Sequence, residues 1–276
     1  MLNQAQIIDY AYHFVLEKSQ VDKKRLDYYL NQFQETVNIR EKSLNYIYKS
    51  LLGSCKNTGR MTNAIGNIDD LNDVLFNFDP IKVKQNFSDW EAVFHAIQQA
   101  NIRHQDKFNL QNSLNSWVRY SKSIFTGATF LAEFESYKSF SDFVDCFVKD
   151  NNPNLQIALP LLLKEEIFGL GFALACDFIK ENVSDKYVKP DTHINDILIG
   201  IEVCNEDDSN FTIFRKAINF ANATEKSPYY IDKLFWLIGS GYFYENNQYP
   251  TRLDFQKNLK KQFINEINNL NRTNVK

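Results

Sequence analysis

The sequence predicts an all-α fold. Glycine and proline are scarce, with 9 and 6 copies among 276 residues, and so few turn-forming residues favour long helices over many short strands. Apolar residues recur at helical spacing along almost the whole chain, which is the pattern of amphipathic helices. No sequence signal for a β-hairpin stands out. Together these observations indicate helices throughout and no sheet.

The N-terminal region is expected to contain three helices and then a loop. The apolar positions place the helices at residues 4–17, 23–37 and 40–52. The stretch that follows, SCKNTGRMTNAIGNIDD (residues 54–70), is polar and contains two glycines. Such a composition predicts a loop.

The central region is predicted to be helical as well. Asp79-Pro80 starts a short helix, because proline suits the first helical turn. SDWE at residues 88–91 has the capping-box pattern, which opens a helix to residue 100. NLQNSLNSWVRYSKSIF (residues 109–125) continues as a helix that is expected to break at Gly127, and FSDFVDCFV (residues 140–148) forms another.

The C-terminal half begins with an apolar stretch from Leu155 to Phe168. Pro160 is expected to bend this stretch or to mark the start of its helix. Four further helices are predicted at residues 172–179, 210–221, 228–238 and 252–270.

Composition limits the function classes. The net charge of −3 and the pI near 5.9 argue against a protein that coats nucleic acid non-specifically. The four cysteines share no C-x-x-C spacing, so we expect neither a zinc site, nor an iron–sulfur cluster, nor a disulfide framework. The sequence shows no signal peptide and no apolar run long enough to cross a membrane, which predicts a cytoplasmic protein.

One short motif indicates an anion site. In IFGLGFALACDF (residues 167–178), Gly169 and Gly171 flank Leu170, which allows a tight turn and a close approach by a partner. The helix expected from Phe172 would point its first amides into that turn, where they attract anions. A DNA phosphate held there would position the protein without reading sequence. The pattern is that of a helix–hairpin–helix.

A second motif follows closely. In KPDTH (residues 189–193), Asp191 comes after Pro190 and precedes an apolar helical pattern, so its carboxylate is suited to cap that helix. His193 is expected to be a structural residue of the first helical turn. Lys189 is either a phosphate contact or a solvated lysine.

The two motifs together resemble the helix–hairpin–helix DNA glycosylases, the superfamily of endonuclease III and 3-methyladenine glycosylase. The family pattern is roughly L-P-G-V-G-x-K-T-A followed by V-D-T-H. Gly169 and Gly171 match its hairpin glycines, and Asp191 matches its catalytic aspartate. Ala173 stands where some members carry a lysine that forms a Schiff base, and Phe168 replaces the proline.

The resemblance implies a two-lobed helical fold with Asp191 in a cleft. It covers residues 155–200, with a looser helical match at residues 117–148. The glycosylase-like region is expected at residues 111–276, with the hairpin at about 156–182, whereas residues 1–110 form a helical region of unclear affinity within the same compact unit. The implied activity is monofunctional: the hydrolytic removal of a base that is flipped out of DNA. Asp191 would stabilise the positive charge that develops on the sugar and orient water.

The resemblance also implies a set of contacts. DNA would be bound by Gly169, Leu170, Gly171, Phe172, Ala173 and Lys189. Trp117 and Tyr120 are candidates for a base pocket, although aromatic residues at such spacing more often form core. The expected partner of the monomeric protein is double-stranded DNA and not a membrane. No metal and no cofactor is expected, apart from a monovalent cation that the hairpin backbone could hold.

Two alternatives remain open from the sequence. One is a catalytically inactive helix–hairpin–helix module that only binds DNA, which Ala173 and the acidic pI favour. The other is a helical domain that binds proteins.

Overall fold

Helices account for most of the chain, so the all-α prediction is confirmed. The structure, a computed structural model, describes residues 1–19, 21–36, 42–102, 108–246, 249–252 and 258–273. Within these ranges, none of the helices combines the length and the apolar character that crossing a membrane requires.

The first segment contains α1 (Gln4–Lys18), α2 (Lys23–Leu30) and α3 (Gln32–Thr36). The prediction of one helix over residues 23–37 is therefore wrong, because the helix is interrupted at Asn31. The Asn31 side chain donates to the Asp27 carbonyl at 2.8 Å and so competes with the backbone, as asparagine does in helices. The predicted end at Val37 and the predicted start of the next helix at Arg40 lie outside the described residues.

The middle segment contains nine helices in its described part and two 3-10 turns, at Thr58–Arg60 and Ile68–Leu71. The helices are α4 (Leu44–Cys55), α5 (Met61–Ile65), α6 (Pro80–Asn86), α7 (Trp90–Gln99), α8 (Ser116–Leu131), α9 (Tyr137–Val148), α10 (Pro153–Gln156), α11 (Ala158–Glu166) and α12 (Phe172–Asn182).

The stretch predicted to be a loop, residues 54–70, is instead largely helical. Met61, Ile65 and Leu71 are each at most 1% exposed. Burying these apolar side chains stabilises short helical turns that the polar composition does not predict.

The expected break at Gly127 is also wrong, since α8 continues through it to Leu131. A Cβ at Gly127 would lie 3.1 Å from the Leu51 Cδ2 atom and 3.4 Å from the Tyr48 Cε2 atom. The glycine therefore permits α4 and α8 to approach closely and does not end the helix. The helix also begins later than predicted, at Ser116, because Asn115 caps it.

The predicted helix over residues 88–100 starts at Trp90, and its capping residue is Asp89 and not Ser88. Asp89 accepts from the Ala92 amide at 2.8 Å, and the Ser88 hydroxyl donates to the free oxygen of Asp89 at 3.0 Å. An ionised aspartate accepts a stronger hydrogen bond than a serine, which explains the shift by one residue.

The last segment contains α13 (Thr192–Gly200), α14 (Asn210–Asn222), α15 (Pro228–Ser240), β1 (Tyr242–Asn246), β2 (Tyr249–Arg252) and α16 (Leu259–Thr273). The two strands pair antiparallel, with Tyr242 opposite Arg252. This hairpin corrects the expectation of no β-structure. Pro250 within β2 weakens the strand pattern, because proline cannot donate to the ladder. The last predicted helix starts at Leu259 and not at Arg252, which belongs to β2; residues 253–257 lie outside the described part.

The chain divides into two compact units, and the division differs from the predicted boundary at residue 110. The first unit consists of Met1–Arg40 and Ser184–Lys276, and the second of Glu41–Val183. The boundary at 110 falls between α7 and α8, which pack against each other within the second unit. In the first unit α15 packs against α1, α2, α13, α14 and α16, and in the second unit α8 packs against α4, α5, α6, α7 and α11.

Candidate functional site

The G-x-G motif forms the turn Ile167–Gly171 between α11 and α12, two helices that pack against each other. Ile167 and Leu170 are 0% and 1% exposed, so the turn is anchored in the core of its unit. The Leu170 amide donates to the Ile167 carbonyl at 3.2 Å and closes the turn. Pro160 lies in the first turn of α11, which confirms that it marks the start of that helix.

Gly169 is a glycine because of the backbone conformation. Its φ of +82° lies in the left-handed region, which residues with a Cβ rarely adopt. A Cβ there would also lie 3.1 Å from the Ser123 hydroxyl oxygen. The Gly169 carbonyl accepts from the Thr58 hydroxyl at 2.5 Å, so residues far away in sequence hold the turn in place.

Two side chains of α8 hold the backbone of Phe168. The Phe168 amide donates to the Thr126 hydroxyl oxygen at 3.0 Å, and its carbonyl accepts from the Ser123 hydroxyl at 2.8 Å. The Phe168 residue remains 40% exposed. The turn is therefore fixed by its backbone while its aromatic ring stays at the surface.

Gly171 differs from Gly169, since no internal constraint requires a glycine at this position. Its φ of −65° is open to any residue, and no atom would lie within 4 Å of a Cβ. It is the N-cap of α12 and offers no side chain to the first amides of the helix. In the described part of the chain, eleven other helices begin at a serine, asparagine or aspartate that caps them: Asn3, Asp22, Ser43, Asp79, Asp89, Asn115, Ser136, Asn152, Asp191, Ser209 and Ser227.

The other predicted contacts of the turn involve mainly backbone. Leu170 and Phe172 are only 1% and 8% exposed, so their side chains face the core. Ala173 is half-buried and carries no amine. Any ligand of this turn would therefore meet the backbone at the start of α12 and, beside it, the ring of Phe168.

Asp191 is positioned by the segment that precedes it, which is fastened to α15. The Tyr229 amide donates to the Asp185 carbonyl at 3.0 Å. The Lys189 amide donates to the carboxylate of Asp232, a buried residue of α15, at 2.6 Å. These two contacts hold the chain on α15 up to the residue where α13 begins.

Asp191 caps α13, which confirms the capping interpretation of the sequence. Its Oδ1 atom accepts from the amides of His193 at 2.9 Å and Ile194 at 3.2 Å. Its Oδ2 atom lies 3.9 Å from the Lys189 Nζ atom, and the side chain is 19% exposed. One carboxylate oxygen is thus engaged by the backbone, while the other faces a lysine at a partly open position.

His193 has a packing role, in agreement with its interpretation as a structural residue. Its ring meets the Trp236 ring edge to face, with the centroids 6.3 Å apart. A Cβ at Gly239 would lie 2.6 Å from the His193 Cβ atom, so Gly239 allows α13 to pack closely on α15.

Trp117 and Tyr120, the candidates for a base pocket, lie in the core of the second unit at 1% and 0% exposure. Trp117 stacks on Phe108 with the ring centroids 5.0 Å apart. The Tyr120 hydroxyl donates to the Leu52 carbonyl at 3.2 Å, and burial raises the pKa of Tyr120 well above its usual value. In this arrangement neither ring presents a free face to a base. Trp117 and Tyr120 are therefore core residues, which is the alternative that the sequence left open.

The residues that brace the turn, Thr58, Ser123 and Thr126, were missed by the sequence analysis. Ser123 and Thr126 are three positions apart on α8, and such pairs share a helix face, which is the one signal available for them. Thr58 contacts the turn across a separation of 111 residues, and no local sequence pattern predicts such a contact.

The site residues belong to different units: the turn to residues 41–183, and Asp191 to the other unit. Within the described part of the chain, no three His, Cys, Asp or Glu side chains are grouped in a way that could hold a metal ion. Comparisons with protein-family models, with curated proteins and with solved structures found no match.

Proposed function

We propose that the chain binds DNA through the turn Ile167–Gly171 and uses Asp191 to hydrolyse the N-glycosidic bond of a flipped base. It would thus act as a monofunctional DNA glycosylase. The observation that carries the DNA-binding step is the position of Gly171 at the start of α12. The catalytic step rests on the match of Asp191 to the family aspartate.

Gly171 supports the close approach of a ligand, because the fold itself does not require a glycine at this position. Its φ and the open space around it would accept a larger residue, and a serine or aspartate there would cap α12. A glycine instead leaves the first amides of the helix accessible to a phosphate oxygen, which the helix dipole attracts. Phosphate contacts of this kind position a protein on DNA.

Asp191 is held in a way that suits a catalytic carboxylate. Two backbone amides hold the Oδ1 atom, while the Oδ2 atom faces the Lys189 ammonium group, and the side chain is partly exposed. A fixed carboxylate next to the sugar would stabilise the positive charge of the transition state and orient a water molecule. The division of the chain into two compact units also supports the two-lobed organisation that the resemblance implies.

Ala173 determines the type of reaction in this proposal. Without an amine at this position, the enzyme would release a base by water attack and would not cut the DNA strand. Lys189 is an amine near Asp191, but its role here is to balance the carboxylate charge at 3.9 Å.

A second candidate function is DNA binding without catalysis. It is favoured by the same capping geometry, because a carboxylate that accepts two amides and faces a lysine already has a complete structural role. This candidate keeps the phosphate-binding turn and predicts duplex binding that weakens with salt, without base release.

The substitution Asp191→Asn separates the two candidates. Asparagine caps a helix about as well as aspartate, so the variant should remain folded while it loses the charge. We expect the wild type to release a base from at least one duplex in a panel of lesions, and the variant to bind the same duplex but release base at least about a hundredfold more slowly, in line with the loss of an electrostatic contact to the transition state.

The matched control is Asp22→Asn, which alters another capping aspartate in the same unit, at the start of α2. It should leave base release unchanged. Equal base release by wild type and Asp191→Asn would rule out the catalytic role. The absence of release from the whole panel, with duplex binding retained, would support the binding module.

A further inference from the structure

A row of aromatic rings and lysines lies next to the turn in the second unit. The Lys122 Nζ atom is 4.6 Å from the centroid of the Trp90 ring and 5.4 Å from that of the Phe168 ring. The Lys84 Nζ atom is 4.5 Å from the centroid of the Phe125 ring. We refer to these five residues as the aromatic–lysine surface.

The surface is continuous with the turn. Lys122 and Thr126 are one helical turn apart on α8, and Thr126 is the residue that accepts the Phe168 amide. Phe125 adjoins Thr126 on the same helix. Phe168 therefore belongs both to the turn and to this surface, and α8 provides the connection between them.

Phe168 has a fixed backbone and an exposed ring. Both of its backbone polar groups are bound to α8, at 3.0 and 2.8 Å, so the backbone at this position cannot shift without breaking two hydrogen bonds. A single exposed aromatic side chain is ordinary. Phe168, however, is 40% exposed and lies next to Lys122, which also lies over the ring of Trp90. The three side chains therefore form a patch.

The lysines of the surface are available to an anion. Among the ion pairs of the described residues, neither Lys84 nor Lys122 is matched with a carboxylate, and both instead lie over aromatic rings. The nearest acidic residues in sequence to Trp90 are Asp89 and Glu91, and Asp89 is engaged in capping its own helix. The patch thus combines positive charge with aromatic area.

We propose that the aromatic–lysine surface binds unpaired nucleotides of a DNA strand whose backbone lies on the turn. Proteins that hold single strands combine lysines or arginines for the phosphates with aromatic faces on which bases stack. Paired bases in a duplex keep their faces inside the helical stack, so Phe168 could stack only on an unpaired base. The inference rests on the proposed function in one respect, that the ligand of the turn is nucleic acid.

The test compares the affinity of the full-length chain for three fluorescent oligonucleotides by anisotropy. These are a single strand of about 15 nucleotides, which spans a typical single-strand site, the matching duplex, and that duplex with an unpaired bulge. The variants are Phe168→Ala and Lys122→Gln. Their matched controls are Phe211→Ala, which alters a phenylalanine of 38% exposure, and Lys138→Gln, which alters an exposed lysine on α9.

We expect Phe168→Ala to weaken binding of the single strand and of the bulged duplex at least about fivefold, the lower end of the loss of one stacked base. Its affinity for the intact duplex should change less than twofold. Lys122→Gln should weaken single-strand binding and make it less dependent on salt, because one fewer counterion is released. Both controls should behave as the wild type, and thermal melting followed by circular dichroism should show that all four variants are folded.

The inference would be overturned if Phe168→Ala lowered the affinity for the single strand no more than Phe211→Ala does. An equal loss for intact duplex and single strand, or the absence of oligonucleotide binding by the wild type, would overturn it as well. The result is independent of base release: Asp191→Asn should bind the single strand normally. A selective loss of single-strand affinity in Phe168→Ala therefore supports binding at the aromatic–lysine surface even if the protein releases no base from any lesion. Base release without such a selective loss would overturn the role of the surface and leave the proposed function in place.

Discussion

Gly169 and Gly171 are two residues apart, and each is a glycine for a different reason. Gly169 must adopt a φ of +82° beside the Ser123 hydroxyl, so the folded chain itself excludes other residues. Gly171 has an ordinary φ and open space around it. In our proposal the missing side chain leaves room for a DNA phosphate, and substitutions at the two positions should consequently have opposite effects on stability.

The substitution Gly171→Asp should stabilise the fold and weaken DNA binding. An aspartate at this N-cap would accept the free amides and complement the helix dipole, which is worth about 0.5 kcal/mol over glycine. The same carboxylate would occupy and repel the phosphate position, so we expect the duplex affinity to fall at least about tenfold. Urea unfolding and fluorescence anisotropy measure the two effects.

The control for this prediction is Gly169→Ala, which should lower the free energy of unfolding by about 1–3 kcal/mol through backbone strain. Unchanged duplex affinity in Gly171→Asp would contradict the phosphate-binding role of the turn.

At the residue scale the sequence predicts local contacts and misses distant ones. The order Pro-Asp-Thr predicted that Asp191 caps a helix, and it does, because capping depends on the next three residues alone. The hydroxyl braces on the turn depend on tertiary packing. Thr58 and Ser123 reach Gly169 and Phe168 from other elements, and serine and threonine are common at ordinary surface positions as well.

At the scale of elements, Gly53 on α4 and Gly127 on α8 show why a glycine within a helix is ambiguous in sequence. A Cβ at Gly53 would meet only the Ile68 Cδ1 atom, at 3.9 Å, which is an ordinary contact. A Cβ at Gly127 would press on Leu51 and Tyr48 of α4. The first glycine weakens its helix without a packing reason, and the second sets the distance between α4 and α8.

This difference predicts opposite results for two substitutions. Gly53→Ala should raise the free energy of unfolding by about 0.5–1 kcal/mol, because alanine has the higher helix propensity and the site has room. Gly127→Leu should lower it by about 1–3 kcal/mol, because the side chain would overpack the contact between α4 and α8. Urea denaturation of both variants beside the wild type measures the changes, and a stabilised Gly127→Leu would show that the contact is not close.

Some helix starts were predicted correctly, whereas the starts of α7, α8 and α16, the break at Gly127 and the two strands were not. Starts at Lys23, Pro80 and Phe172 follow from capping chemistry or from proline and glycine at defined positions. The hairpin of β1 and β2 was missed because Pro250 stands in one strand and the register shifts between Tyr244 and Asn246. Such irregular pairing leaves no clean alternation of apolar and polar residues.

At the scale of the whole molecule, the first unit is built from two distant segments of the chain. The Phe14 ring of α1 meets the Phe263 ring of α16 with centroids 5.4 Å apart, and the Tyr10 hydroxyl donates to the Glu266 carboxylate. The Leu2 amide donates to the Asn271 side chain at 2.7 Å. Residues 41–183, by contrast, form a unit from one continuous segment.

This organisation predicts that the segment 41–183 folds when expressed alone, with a helical circular dichroism spectrum and a cooperative urea transition. The segment 184–276 should not fold alone, because α1 is missing and its contacts with α15 and α16 are absent. A peptide of residues 1–40 added to it should restore helical signal. Cooperative unfolding of 184–276 without the peptide would contradict the prediction.

Because the first unit is built from two segments, its N-terminal part is synthesised before the second unit but can be completed only after it. During synthesis at roughly 5–20 residues per second, α1 leaves the ribosome about ten to fifty seconds before α16. The Phe14 side chain, which is 2% exposed in the finished protein, lacks its contact with Phe263 of α16 during that interval. The segment 41–183 can fold while α1 waits, so α1 is made before that segment but is packed after it, and we expect its apolar face to need protection from aggregation until then.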